Sequence, residues 1–129
     1  MDSRQETLPK EERLHGKNDI SGLLARGRFG DVPGGIRYCF LETGNGINRM
    51  MVSVPKKNFK RAVKRNLLNR RSRESSRRHN RHVEGPGTDI LFIYSTKEVL
   101  TYQEIFTAVG KVIDKINGYG HRKAEKVHP

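Results

Sequence analysis

Between residues 56 and 82 the chain reads KKNFKRAVKRNLLNRRSRESSRRHNRH, a run holding 12 of its 26 Lys and Arg and one acid, Glu74. Like charges at this density are relieved only by counterions or by a polyanion that displaces them, so the chemistry on offer is recognition of phosphate. Spacing separates the run from a plain charged tail. At about 100° per residue, Asn66, Arg70, Arg73 and Arg77 fall within roughly 60° of one another on a helix. Asn69 lies beside them, small Ala62 continues the face, and Leu68 points the opposite way, toward a core. A guanidinium fork binds a phosphate or a guanine edge with two hydrogen bonds, and flanking Asn amides orient such forks or read a base or sugar edge. Lys56 and Lys57 add charge ahead of the helix and Arg61 adds charge in its first turn. The pattern predicts a surface for RNA or DNA.

Other groups suggest less. Tyr38 and Phe40 share one face of the strand-like IRYCFLE, where they serve either as stacking platforms for unpaired bases, at about 1–3 kcal/mol per base, or as core residues. His79 and His82 lack a third ligand at metal spacing, so no metal site is assigned. A metal-dependent protein nuclease needs carboxylates converging on one point, and the 14 acids are scattered singly apart from Glu11 and Glu12. No Gly-rich phosphate loop or Ser/His/Asp set is evident. No catalytic residue is therefore assigned, and the chain alone is not expected to cleave anything.

With 129 residues the chain suits one domain with one modest core. A hydrophobic content of 33% and a net charge of +12 favour nucleic acid as partner, with an anionic membrane second. No apolar run approaches the roughly 20 residues of a spanning helix, and MDSRQETLPKEER has no apolar signal core. The expectation is a soluble, cytoplasmic protein with no membrane role. Cys39, the lone cysteine, reads as a small buried hydrophobe.

The elements that must carry the basic run follow from local pattern. Residues 1–10 read as a mobile N-terminus, 11–118 as the binding domain and 119–129 as a basic flexible tail. Asp19 is placed to cap a short helix over 20–25. Residues 30–35 have loop composition, 36–42 read as a strand, TGNG as a hairpin turn and 48–54 as the returning strand, ended by Pro55. Asn58 is placed to cap the basic helix, 59–78. ILFIY (90–94) is apolar without alternation, as in a central strand covered on both faces. Thr101 and Glu104 make a capping box for a last helix whose stripe of Ile105, Val109, Val112 and Ile116 ends at Asn117 and Gly118. The class is α+β, with helices on an antiparallel-dominated sheet.

At VSVPKKNFKRAVKRNLLNRRSRE (52–74) the sequence resembles the signature of the bacterial ribonuclease P protein subunit: a strand ending in Ser and Lys, a short turn, then a helix with Arg-Asn-Arg and further Lys/Arg one and two turns on. Arg65, Asn66, Arg70 and Arg73 match residue by residue, whereas Leu67 and Asn69 depart from it. KEERL, a short helix and Gly27-Arg28 resemble the family's entry. Ile20 and Leu24 stand where some members carry aromatic residues that help hold the leader. The resemblance implies three to four strands with three helices in a ribosomal protein S5 domain 2-like sandwich, and a left-handed crossover through the basic helix. It implies a subunit that binds the catalytic RNA and the 5′ leader of precursor tRNA, as a monomer in a 1:1 complex with the RNA. Mg²⁺ is then held by the RNA, which performs the endonucleolytic cleavage, and the leader candidates are Tyr38, Phe40 and Ser53. Ser72, Ser75 and Ser76 replace residues that are apolar in the family, so the helix beyond Leu68 is expected to pack weakly and fray until RNA binds. A ribosome-associated or general RNA-binding protein and a DNA-binding protein remain the alternatives.

Overall fold

The computed structural model describes residues 17–127, with side chains from 20 to 119. Residues 1–16, including the N-terminal stretch read as mobile and the KEERL entry, lie outside the described residues. In chain order the elements are α1 (Lys17–Arg26), β1 (Arg28–Val32), β2 (Ile36–Glu42), β3 (Arg49–Ser53), α2 (Ala62–His79), a short 3-10 turn (Asn80–His82), β4 (Thr88–Tyr94) and α3 (Tyr102–Val127). The strands form one mixed sheet in the order β1-β2-β4-β3. β1 and β2 are antiparallel, as are β2 and β4, and β3 runs parallel to β4.

Strand β4 takes the centre because its residues are apolar on both sides and need cover from both faces. Its Ile90, Phe92 and Tyr94 join Ile36, Tyr38 and Phe40 of β2 and Met50 of β3 on an inner face. Onto that face pack Leu68 of α2 and Ile105, Val109, Val112, Ile113 and Ile116 of α3. Each such aliphatic side chain contributes roughly 1.5–3 kcal/mol on burial. The outer face is only partly covered: Leu23 of α1 closes over Cys39 and Leu91.

Four expectations are corrected. The segment with loop composition overlaps β1, in which Gly30 lies so close beneath the Tyr38 ring that a Cβ there would fall 2.5 Å from its hydroxyl. Gly34 and Gly35, at φ 110° and 88°, then make the turn into β2 that other residues resist. Secondly, β2 and β3 are not a hairpin, because β4 lies between them. The amides of Thr43 and Gly44 donate to the Gly87 carbonyl and that of Gly46 to Pro86, so TGNG clasps the approach to β4. The β3-α2-β4 passage is consequently a crossover between parallel neighbours.

Thirdly, Asn58 does not cap α2. Its amide donates to the Pro55 carbonyl at 3.1 Å and its Nδ2 to the Tyr94 carbonyl at 3.4 Å. Phe59 is buried edge-on against the Tyr94 ring at 5.5 Å, and holding that ring in the core delays the helix to Ala62. Lastly, α3 does not stop at Asn117 and Gly118. Asn117 instead receives the Glu84 amide at Oδ1 and donates from Nδ2 to the His82 carbonyl, each at 2.9 Å, while the helix continues to Val127. The capping box is present: Thr101 N–H donates to Glu104 Oε1 and Glu104 N–H to Thr101 Oγ1.

Candidate nucleic-acid interface

The solvent face of α2 carries Asn66, Arg70 and Arg73 exposed and Asn69 half-buried. Arg70 and Arg73 make no hydrogen bond or ion pair within the described residues, so both forks are available to a ligand. Val63, 80% exposed, and Ala62 leave the start of that face low and uncharged. Upstream, the loop from β3 to α2 displays Lys56, Lys57, Lys60 and Arg61, all exposed.

Arg65 and Arg77 sit on the same helix but are otherwise engaged. Arg65 Nη1 donates to the carbonyls of Phe59 at 2.7 Å and Lys60 at 2.9 Å. Arg77 forms a two-point pair with Glu74, Nε to Oε2 at 3.1 Å and Nη2 to Oε1 at 2.6 Å, and Arg78 Nε reaches Oε1 at 3.1 Å. The Arg77 hydrogen bond, aided by Arg78 and opposed by burial, holds the Glu74 carboxyl below the usual carboxylate range. At neutral pH it is an anion that offsets one of the two positive charges of Arg77 and Arg78.

The inner face of α2 is where the chain is least ordinary. Leu68, Ser72, Ser75 and Ser76 are all buried there. The serines thus occupy the core side of a helix that runs to His79. This half is fastened to α3 and to the segment just before it: Arg71 Nη1 donates to the Leu100 carbonyl at 2.6 Å, and His79 stacks on Phe106 of α3 at 4.3 Å. His79 Nε2 lies 3.1 Å from the Phe106 carbonyl; since a carbonyl only accepts, that nitrogen carries the hydrogen. Burial pushes the imidazole pKa down, against the opposing effect of that carbonyl. Ser76 Oγ donates to the Ser72 carbonyl at 2.8 Å, whereas the buried hydroxyls of Ser72 and Ser75 have no protein partner.

The leader candidates do not come together. Tyr38 and Phe40 are 7% and 5% exposed on the inner face, and Phe40 packs edge-on to Tyr119. They are core residues with no ring face left for a base. Ser53 is on the outer face, in a transverse row with Ile93 and Arg37. Next to that row stands Phe29, 54% exposed beyond the cover of α1. Sequence reading missed Phe29 and Arg37 because β1 was not recognised; the alternation of β2 alone would have put Arg37 opposite Tyr38.

Among the described residues no group of three or more His, Cys, Asp or Glu could hold a metal ion, and no helix is long and apolar enough to cross a membrane. The geometry is that of an exposed cationic surface on α2 and the loop before it.

Comparison with known proteins decides the lineage. The ribonuclease P family matches residues 8–117. The chain belongs to the ribonuclease P protein family. It is 32% identical over 101 residues to the ribonuclease P protein component of Borrelia turicatae, covering 78% of this chain and 87% of that one. To the ribonuclease P protein component of Porphyromonas gingivalis it is 36% identical over 91 residues, 69% of this chain and 66% of the other. The fold matches a mutant of the Staphylococcus aureus RNase P protein with TM-score 0.72 at 22% identity, covering 89% and 93% of the two chains. It matches the Thermotoga maritima RNase P protein at 0.69 and 24% identity, covering 81% and 97%. As a ribonuclease P protein component, the chain is part of an endoribonuclease, and its partner is RNA.

Proposed function

We propose that the chain binds the catalytic RNA of ribonuclease P through the solvent face of α2 and the loop before it, and assists removal of the 5′ leader from precursor tRNA. Arg70 and Arg73, unpaired beside exposed Asn66, carry this reading, since forks with no internal partner are set for phosphate or base edges. Lys56, Lys57, Lys60 and Arg61 extend the contact along the RNA backbone. The leader lies along the open outer sheet face, where Ser53, Arg37 and the exposed Phe29 ring offer a hydroxyl, a fork and a stacking surface. Mg²⁺ and the cleavage step belong to the RNA subunit. Catalytic RNA and substrate repel each other as polyanions, and a protein of charge +12 between them lowers that cost. The complex is read as one protein per RNA, in the cytoplasm.

The test is leader removal from precursor tRNA by a bacterial ribonuclease P RNA at low Mg²⁺. The chain is expected to restore cleavage that the RNA alone has lost. Rescue no better than that given by polylysine would leave only a general RNA-binding protein.

A further inference from the structure

We propose that Arg65 is a positioning residue: it holds the loop 56–61 in one register against α2, so that the loop cations and the helix face meet RNA as one surface. The inference rests on the RNA-binding reading above and gives this signature residue a role distinct from that of Arg70 and Arg73. Its guanidinium is committed inward, to the carbonyls of Phe59 and Lys60. Both carbonyls precede that of Arg61, which accepts the Arg65 amide at 3.3 Å as the helix begins. Arg65 therefore satisfies backbone that lies outside the helix and fixes where the loop turns into it.

Little else does so. The N-cap position, Arg61, makes no side-chain capping bond. Phe59 pins the loop at one point, its ring against Tyr94, and Asn58 adds one long bond to the Tyr94 carbonyl. Lys56, Lys57, Lys60 and Arg61 are exposed around that pin and repel one another and Lys64. A carboxylate clamp would hold them but would cancel part of the charge the surface presents. A guanidinium bonded to main-chain carbonyls holds the loop and cancels none.

The experiment titrates the full chain with a bacterial ribonuclease P RNA between about 50 and 200 mM salt. If about six phosphates are contacted, binding by the unaltered chain weakens roughly a thousandfold across that interval. Were Arg65 one independent phosphate contact, Arg65→Gln would leave a loss of about three-hundredfold. As a positioning residue its removal disperses the loop cations as well, and the loss drops below about a hundredfold. Lys60→Gln, which weakens binding by the unaltered chain, then has little further effect in the Arg65→Gln background. Phe59→Leu keeps every charge and loosens the same loop, so it too flattens the salt dependence, and it serves if Arg65→Gln fails to fold. Overturning results are a change worth a single contact with additive Lys60→Gln, or an unchanged salt dependence in Phe59→Leu. A flat salt dependence in the unaltered chain would defeat the RNA-binding reading itself.

Discussion

In the middle of α2, Arg70 and Arg73 stand exposed with no partner among the described residues, whereas one turn later Arg77 and Arg78 close on Glu74. Both stretches are arginine-rich, yet the first presents charge outward and the second neutralises much of its own. A count of basic residues would rank them equal. Unneutralised forks carried on a formed helix suit a partner whose phosphates occupy set positions; a self-paired last turn contributes mainly to the cohesion of the helix. Its inner face divides the same way, with apolar Leu68 toward one end and Ser72, Ser75 and Ser76 toward the other.

The largest effect expected from this contrast is on RNA affinity. Arg70→Gln or Arg73→Gln removes a charge-assisted contact worth about 1.5–3 kcal/mol, a loss of roughly ten- to a hundredfold in a binding titration at fixed salt. Arg78→Gln should cost less than about threefold, since its guanidinium is already shared with Glu74. Releasing the last turn by Glu74→Gln should narrow the difference, raising affinity and steepening its salt dependence. Equal losses at all three arginines would mean that net charge alone matters.

How far the sequence shows these things depends on whether a feature is local. The strand at 36–42 and the Thr101/Glu104 capping box were legible because alternation and short-range hydrogen bonding leave their mark within a few residues. The neighbour of β3 was not, since the choice between β2 and β4 is settled by which strand needs cover on both faces. β1 was hidden by Gly30, whose absence of a side chain makes room for a ring from the next strand. In the candidate site, the face holding Asn66, Arg70 and Arg73 followed from helical angles alone. The different position of Arg65 did not, because its partners lie on a loop whose path depends on Phe59 reaching Tyr94. Tyr38 and Phe40 were ambiguous by composition, and only the packing of α3 on the inner face made them core.

The serine seam has a smaller expected effect, on stability. Ser75 buries a hydroxyl with no protein partner, so Ser75→Ala removes an uncompensated polar group at little loss of volume and should raise unfolding free energy by about 1 kcal/mol. Ser72→Ile adds two heavy atoms to a closed helix-helix contact and should lower it by about 1–3 kcal/mol. Denaturant titration of both variants checks the packing. Stabilisation by Ser72→Ile would show that this half of α2 stands away from α3. Amide exchange of 71–79 in the free chain tests the same point: slow exchange accompanies a docked helix, and fast exchange that slows on RNA binding accompanies one completed by its ligand.

His79 gives the subtlest prediction, because it joins the serine half of α2 to α3 by stacking and one hydrogen bond. Burial lowers its folded-state pKa, His82 lowers it further, and the Phe106 carbonyl and Asp114 oppose the shift without reversing it. In the unfolded chain the imidazole titrates near its ordinary value of about 6.5. Between that value and the lower folded one, the unfolded chain binds a proton that the folded chain refuses. Stability must therefore fall as pH drops from about 6.5 toward the folded pKa, and the full contribution of the neutral ring is present above 6.5. Because Nε2 already carries its hydrogen to the Phe106 carbonyl, the added proton goes to Nδ1, and the charged ring is then held where burial disfavours it. His79→Gln keeps an amide donor for the carbonyl without a titrating group, and should flatten thermal stability between pH 7.5 and 5.5. His82→Gln, at an exposed position, should leave most of that slope in place. A slope unchanged by His79→Gln would assign the pH dependence to other groups and remove His79 from the seam's energetics.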